Sequence, residues 1–174
     1  VCSSDLGSAG VVALRARGHE VATIGRRAGV DTAVCDLGDA PAVRDAVRVL
    51  AEAGPCDAVV HLAARAHGFR GLSLDDLRRA NVATTRALLD ALAAAGLTSR
   101  VRFVLASSVA VYDLLDTTTP DRRTAPYAAS KLEVEEIVRA EPFPRSSVLR
   151  FAPIYDREHL VDVAKRVYLP GTRL

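Results

Sequence analysis

Tyr127 and Lys131 stand four residues apart in Pro126-Tyr127-Ala128-Ala129-Ser130-Lys131, a run that continues through Leu132-Glu133-Val134-Glu135-Glu136-Ile137 with the composition of a helix. On a helix that spacing puts both side chains on one face, their Cβ atoms about 5–6 Å apart. A phenol has an ordinary pKa near ~10, and an ammonium held beside it favours the phenolate, so the tyrosine can give or take a proton nearer neutral pH. The pair is therefore a candidate acid and base. A lone Tyr-x-x-x-Lys is a weak signal, because any amphipathic helix can carry one. Its weight comes from upstream, where Val101-Arg102-Phe103-Val104-Leu105-Ala106-Ser107-Ser108 is an apolar, β-rich run that ends in two hydroxyls. In a parallel sheet ligands sit at the carboxyl ends of strands, which places Ser108 where a substrate would be.

The elements that must position these groups follow from periodicity and punctuation. Gly7 to Arg17 has helical spacing of small and apolar residues, closed by Gly18, and the segment to Ile24 reads as a turn into a strand. Val30 to Cys35 reads as another strand, and Pro41 to Ala53 as an amphipathic helix with Val43, Ala46, Val47 and Leu50 on one face. Asp57 to Leu62 is an apolar strand in which His61 reads as a packed core histidine, followed by Ala63 and Ala64 and a loop, Arg65 to Leu72, that contains His67. Ser73 is a good N-cap for a helix from Leu74 to Ala95, with Asp75 and Asp76 in its first turn and Gly96 at its end. Ser146 to Arg150 reads as a further strand and Asp156 to Tyr168 as a short helix. Alternating strands and helices predict an α/β domain, doubly wound around a mostly parallel sheet.

With 174 residues, 49% of them apolar and 25% charged, the chain fits one domain with a sizeable core, and its net charge of +2 gives no field that would draw nucleic acid. Cys2, Cys35 and Cys56 are odd in number and lack C-x-x-C spacing, which argues against a metal site or a disulfide framework and for a reducing compartment. The apolar runs are too short to span a bilayer and no secretory pattern opens the chain, so the expected setting is cytoplasmic, without a membrane partner.

Five pieces in this order resemble the extended branch of the short-chain dehydrogenase/reductase superfamily, the NAD(P)-dependent epimerases and dehydratases. They are His61-Leu62-Ala63-Ala64, Asn81-Val82 with Thr85, Ser107-Ser108 with Val111-Tyr112, Pro126-Tyr127 through Ser130-Lys131, and Leu149-Arg150 with Ile154-Tyr155. The resemblance spans roughly residues 7 to 156. It implies a Rossmann-like domain with the strand order 3-2-1-4-5-6 and a cofactor that is NADP or NAD. It implies that Ser108, Tyr127 and Lys131 are catalytic, that Ser107 is structural, and that Asn81 stabilises the active-site architecture. Gly7, Leu62, Ala63, Ala64 and Pro153 would line the cofactor, with Tyr127 and Lys131 at its nicotinamide end. Asp36 and Leu37 would stand near the adenine, although Asp36 also reads as a turn former with Gly38. Where such domains often carry an acidic residue for the adenosine ribose, this chain has Gly25-Arg26-Arg27, and an arginine there favours the 2′-phosphate of NADP.

Departures from the pattern sharpen the expectation. Glycines expected at positions 1, 4 and 7 are Val1, Ser4 and Gly7, so residues 1–6 read as a non-native or truncated start and residues 7–174 as a partial dinucleotide-binding domain. The first strand is missing, and so is the smaller substrate domain that follows in such proteins. Asp113 replaces a glycine and the connection to Ala125 is short, which alters the rim of the substrate site. The implied function is hydride transfer, with a nucleotide-activated sugar as substrate and a homodimer built on the two long helices. The alternatives are an NADPH-dependent ketone or aldehyde reductase of the same superfamily and a non-catalytic nucleotide-binding regulatory module.

Overall fold

The computed structural model describes residues 4–28, 31–65, 72–115, 125–152 and 154. The chain opens with α1 (Ser4–Arg15), which starts three residues earlier than its periodicity suggested, because Ser4, Asp5 and Leu6 are compatible with helix. Its end was legible: Gly18 has φ +84°, and the amides of Gly18 and His19 donate to the carbonyls of Arg15 and Leu14. That left-handed glycine closure satisfies carbonyls the helix would leave bare. The same device closes α4 (Thr84–Ala94), where Gly96 has φ +68° and the Leu97 amide reaches the Leu92 carbonyl.

Two parallel sheets form. β1 (Ile24–Gly25) pairs with β2 (Ala33–Val34), and β3 (Ala58–His61), β4 (Arg102–Ser108) and β5 (Arg145–Phe151) pair in that order. β1 and β2 are much shorter than expected. Among the described residues β1 pairs on one side only and β3 on one side only, which leaves the place between them, where the expected first strand belongs, without a partner. The observed orders, β2-β1 and β3-β4-β5, match the 3-2 and 4-5-6 parts of the anticipated order.

The core lies around β4, whose alternation buries Phe103, Leu105 and Ser107 on one face. Against it pack Leu88, Leu89 and Leu92 of α4, Val43 and Val47 of α2 (Ala40–Ala53), and Val134 and Val138 of α6 (Ala125–Ala140). Leu50, expected on the buried face of α2, is only half-buried. Asp39 caps α2 by accepting from the Ala42 amide at 3.1 Å, so the helix begins at Ala40, one residue before the expected start.

The helix expected from Leu74 to Ala95 is three pieces: α3 (Leu74–Leu77), a π-helical segment (Arg78–Ala83), and α4. Ser73 caps it as expected, and Asp76 reciprocates by accepting from the Ser73 amide. After β4 a 3-10 turn (Val109–Val111) leads into the short α5 (Tyr112–Leu115). Pro153, Tyr155, His67, most of the connection after Asp113 and the helix expected from Asp156 to Tyr168 lie outside the described residues.

Candidate active site

The site grows from two elements, the carboxyl end of β4 and the first turns of α6. Tyr127, Lys131 and Glu135 follow one another at four-residue steps along α6 and so form a stripe on one face. Lys131 is 3% exposed, and its Nζ donates to the Ala106 carbonyl of β4 at 2.6 Å. Burial lowers its pKa to about 8, against the opposing pull of the Glu135 carboxylate. Tyr127 approaches Ser108, which is half-buried at the end of β4. Burial pushes the phenol pKa up, and the hydrogen bond with Ser108 opposes that rise. The group that opposes the rise is the serine, while the Lys131 ammonium is held by the strand backbone. The Ser108 hydroxyl also accepts from the Ala110 amide at 3.2 Å, which fixes it at the turn.

Ser107 points the other way along the strand alternation, into the core, and donates to Glu135 at 2.6 Å. Glu135 is fully buried and holds a cluster together. Arg150 of β5 donates to it twice, at 2.9 and 2.7 Å, and Arg139 once, at 2.6 Å. Burial alone would raise its pKa, but hydrogen bonds from Arg150, Ser107 and Arg139 outweigh that and hold it at about 2. The Arg150 guanidinium in turn lies 4.7 Å over the ring of Tyr112. Glu135 is the residue that sequence reasoning passed over. Its four-residue step from Lys131 was the available signal, but Glu133 and Glu136 beside it masked the choice.

Asn81 is buried within the π-helical segment. Its Nδ2 donates to Ser130 Oγ at 3.1 Å and to the Arg65 carbonyl at 3.2 Å, and its Oδ1 accepts from the Arg65 amide at 2.7 Å. Ser130 donates on to the Tyr127 carbonyl at 2.8 Å, so Asn81 braces the first turn of α6 against the loop after β3. His61 is buried and within 2.9 Å of Thr85 Oγ1, in a core setting as expected.

The residues expected to line a dinucleotide sit at the carboxyl ends of the strands. Leu62, Ala63 and Ala64 follow β3 and are half-buried. Gly7 lies in the first turn of α1, and a Cβ there would meet nothing within 4 Å, so the approach to that helix end is open. Leu37 packs against the core, while Asp36 is exposed, accepts from the Gly38 amide at 2.9 Å and pairs loosely with Arg26 at 3.7 Å. The turn reading of Asp36 is thus realised. These residues fit a dinucleotide laid across the strand ends. An open cleft of about 520 Å3 lined by Tyr112, Arg139 and Val148 to Phe151 runs along β5 and contains none of Ser108, Tyr127 and Lys131. Among the described residues no group of His, Cys, Asp and Glu could hold a metal ion, and no helix is long and apolar enough to cross a membrane.

Residues 4–142 match the NAD dependent epimerase/dehydratase family. The chain belongs to that family. Among solved structures, this epimerase/dehydratase chain is similar to a short-chain dehydrogenase/reductase superfamily protein from Agrobacterium tumefaciens with bound NAD, at 32% identity and TM-score 0.65, over 86% of this chain and 46% of that one. It is similar to the Thermus thermophilus UDP-glucose 4-epimerase in complex with NAD, at 26% identity and TM-score 0.63, over 88% of this chain and 56% of the other. A third is MoeE5 in complex with UDP-glucuronic acid and NAD, at 29% identity and TM-score 0.62, over 83% and 50%. The chain thus spans about half the length of these structures. No curated protein matches the sequence. The family fixes the general kind of the protein: a Rossmann-like α/β domain whose relatives bind a nicotinamide dinucleotide.

Proposed function

We propose that the protein this chain represents transfers a hydride between a nicotinamide dinucleotide and a hydroxyl-bearing or keto carbon of a nucleotide-activated sugar, as an epimerase or dehydratase does. The observation that carries the proposal is the convergence of Ser108, Tyr127 and Lys131 from β4 and α6, braced by Asn81 and Glu135. The UDP-glucose and UDP-glucuronic acid in the names of two relatives support the substrate class.

When bound, the dinucleotide supplies the hydride acceptor and donor. Tyr127, its phenol kept protonated by burial, gives its proton to the substrate oxygen as a carbonyl becomes a hydroxyl, and takes it back in the reverse direction. Ser108 holds the same oxygen. Lys131 is still cationic near neutral pH and stabilises negative charge that develops on the phenol. Replacing Tyr127 by Phe removes the proton and keeps the ring, so turnover should fall by about 10²–10⁴-fold while dinucleotide affinity stays near that of the unaltered protein. Normal turnover in that variant would sink the assignment.

A simple ketone or aldehyde reductase is the second reading, favoured by the half-exposed Arg26 at the end of β1. Net release of oxidised dinucleotide during turnover separates the two, because an epimerase or dehydratase returns its hydride.

A further inference from the structure

Lys131 and Glu135 stand one helical turn apart and are both buried, and a cation and an anion so placed ordinarily pair with each other. Here they do not. Among the described residues the ion pairs of Glu135 are with Arg139 and Arg150, while the Lys131 ammonium donates to the Ala106 carbonyl at 2.6 Å. Donors from three elements take the carboxylate instead. Arg150 of β5 holds both of its oxygens, Nε to Oε1 at 2.9 Å and Nη2 to Oε2 at 2.7 Å. Arg139 of α6 adds a bond to Oε2 at 2.6 Å, and Ser107 of β4 one to Oε1 at 2.6 Å. A carboxylate gripped at both oxygens by a planar guanidinium has a fixed place as well as a partner. Arg150 is itself fixed, with its side chain 20% exposed and its guanidinium 4.7 Å over the Tyr112 ring, whereas Arg139 is half-exposed and looser.

An ammonium already neutralised by a carboxylate lends little to a phenolate, and one held only by a carbonyl keeps its charge for it. We propose that Arg150, assisted by Arg139, is a positioning residue that withholds Glu135 from Lys131 and so keeps the ammonium available to Tyr127. For its catalytic meaning this inference rests on the acid–base reading above.

The groups around Lys131 fix the sign of the effect. His61 of β3, its pKa lowered to about 4, is neutral at pH 7, and so is the Tyr127 phenol, which burial pushes up. β4 brings the Ala106 carbonyl and the hydroxyls of Ser107 and Ser108, and α5 brings Tyr112. The π-helical segment meets α6 through the pair Arg78 and Glu133, and α4 through Arg86 and Glu141, each cation closed on its own carboxylate. The charges left among the described residues are Glu135 and the two arginines that hold it. With its pKa at about 2, Glu135 stays ionised near neutral pH when Ser107 and one arginine remain. Released from Arg150, the carboxylate turns to the ammonium, and Lys131 keeps its proton to a higher pH than its present value of about 8 allows.

Lysine ¹⁵N NMR of the full-length protein, without dinucleotide or sugar, titrates the Lys131 ammonium directly, its signal assigned by its loss in Lys131→Arg. Arg150→Met, which keeps the stem and removes the charge, should raise that titration by about one pH unit. The alkaline limb of kcat/KM should move up with it, and a merely structural role for Arg150 would lower activity without moving either. In a Glu135→Gln background Arg150→Met should have much less effect, since no carboxylate is left to release. A folded Arg150→Met whose lysine titrates where the unaltered one does overturns the inference. So does an equal rise in the Glu135→Gln background, which would mean that Arg150 acts on the lysine directly. If Arg150→Met does not fold, Arg139→Met decides: a smaller rise supports the inference and no rise overturns it. If the unaltered protein transfers no hydride, the proposed function falls, and the ligand-free titration still decides whether Glu135 is withheld from Lys131.

Discussion

His61 shows how much a single buried group can hold. Its neighbour Thr85 has one hydroxyl proton, and that proton is donated to the Asn81 carbonyl at 2.7 Å. The 2.9 Å contact between Thr85 Oγ1 and His61 Nε2 therefore has the imidazole as donor, which assigns the proton to Nε2 and leaves the ring neutral. Burial and the nearby Lys131 charge lower its pKa from 6.5 to about 4. A folded-state pKa below the unfolded one means that the unfolded chain binds the extra proton first. Stability is then fully present above pH 6.5 and is lost as pH falls toward about 4. The loss attributable to His61 should approach roughly 3 kcal/mol at the acid end of that window. Urea unfolding at pH 7 and pH 4.5, compared between the unaltered chain and His61→Gln, isolates it. An identical pH dependence in the two would show that His61 does not titrate as its surroundings dictate.

At the scale of elements, α6 is the part that converts packing into chemistry. It is tied to β4 through Lys131 and Ala106 and through Glu135 and Ser107, to β5 through Arg150, and to the π-helical segment through Ser130 and Asn81. Removing the Glu135 charge should act twice. Arg150 and Arg139 lose their shared partner, at a cost of about 3 kcal/mol in unfolding free energy. Lys131 loses the carboxylate that opposes its desolvation, so its pKa drops further below about 8. The activity expected to fall above about pH 8 in the unaltered enzyme, as the ammonium is lost, should fall at lower pH in Glu135→Gln. A kcat/KM profile against pH reads this directly, and an alkaline limb that did not move would remove Glu135 from the positioning of Lys131. The ends of these elements were legible because Ser73, Gly18 and Gly96 act through local backbone bonds that the sequence declares. The π-helical segment was not, since the register of apolar residues hardly changes when one turn widens.

For the whole molecule the telling feature is the division of the sheet. β1 and β3 each present one strand edge without a strand partner among the described residues, and nearby apolar side chains are uncovered: Val34 is 54% exposed and Val60 46%. Among the described residues α1 adds none to the buried core, and its Val12 is 68% exposed. The unpaired edges among the described residues were foreseeable to the extent that Ser4, Asp5 and Leu6 belong to a helix and supply no strand. The extent of the shortening in β1 and β2 was not, since it depends on a neighbour. Stability of a domain is only about 5–15 kcal/mol, and an apolar side chain such as Val34 or Val60 left in water forgoes about 1.5–3 kcal/mol of burial, so a few such side chains remove much of it. The 174-residue polypeptide taken alone should therefore unfold below about 50 °C, at the low end for domains of this size. It should also self-associate as its concentration rises, because unpaired strand edges are templates for pairing. Scanning calorimetry together with light scattering at several concentrations tests both. A cooperative, concentration-independent melt above about 50 °C would mean that the half-sheets are held by α2, α4 and α6 alone.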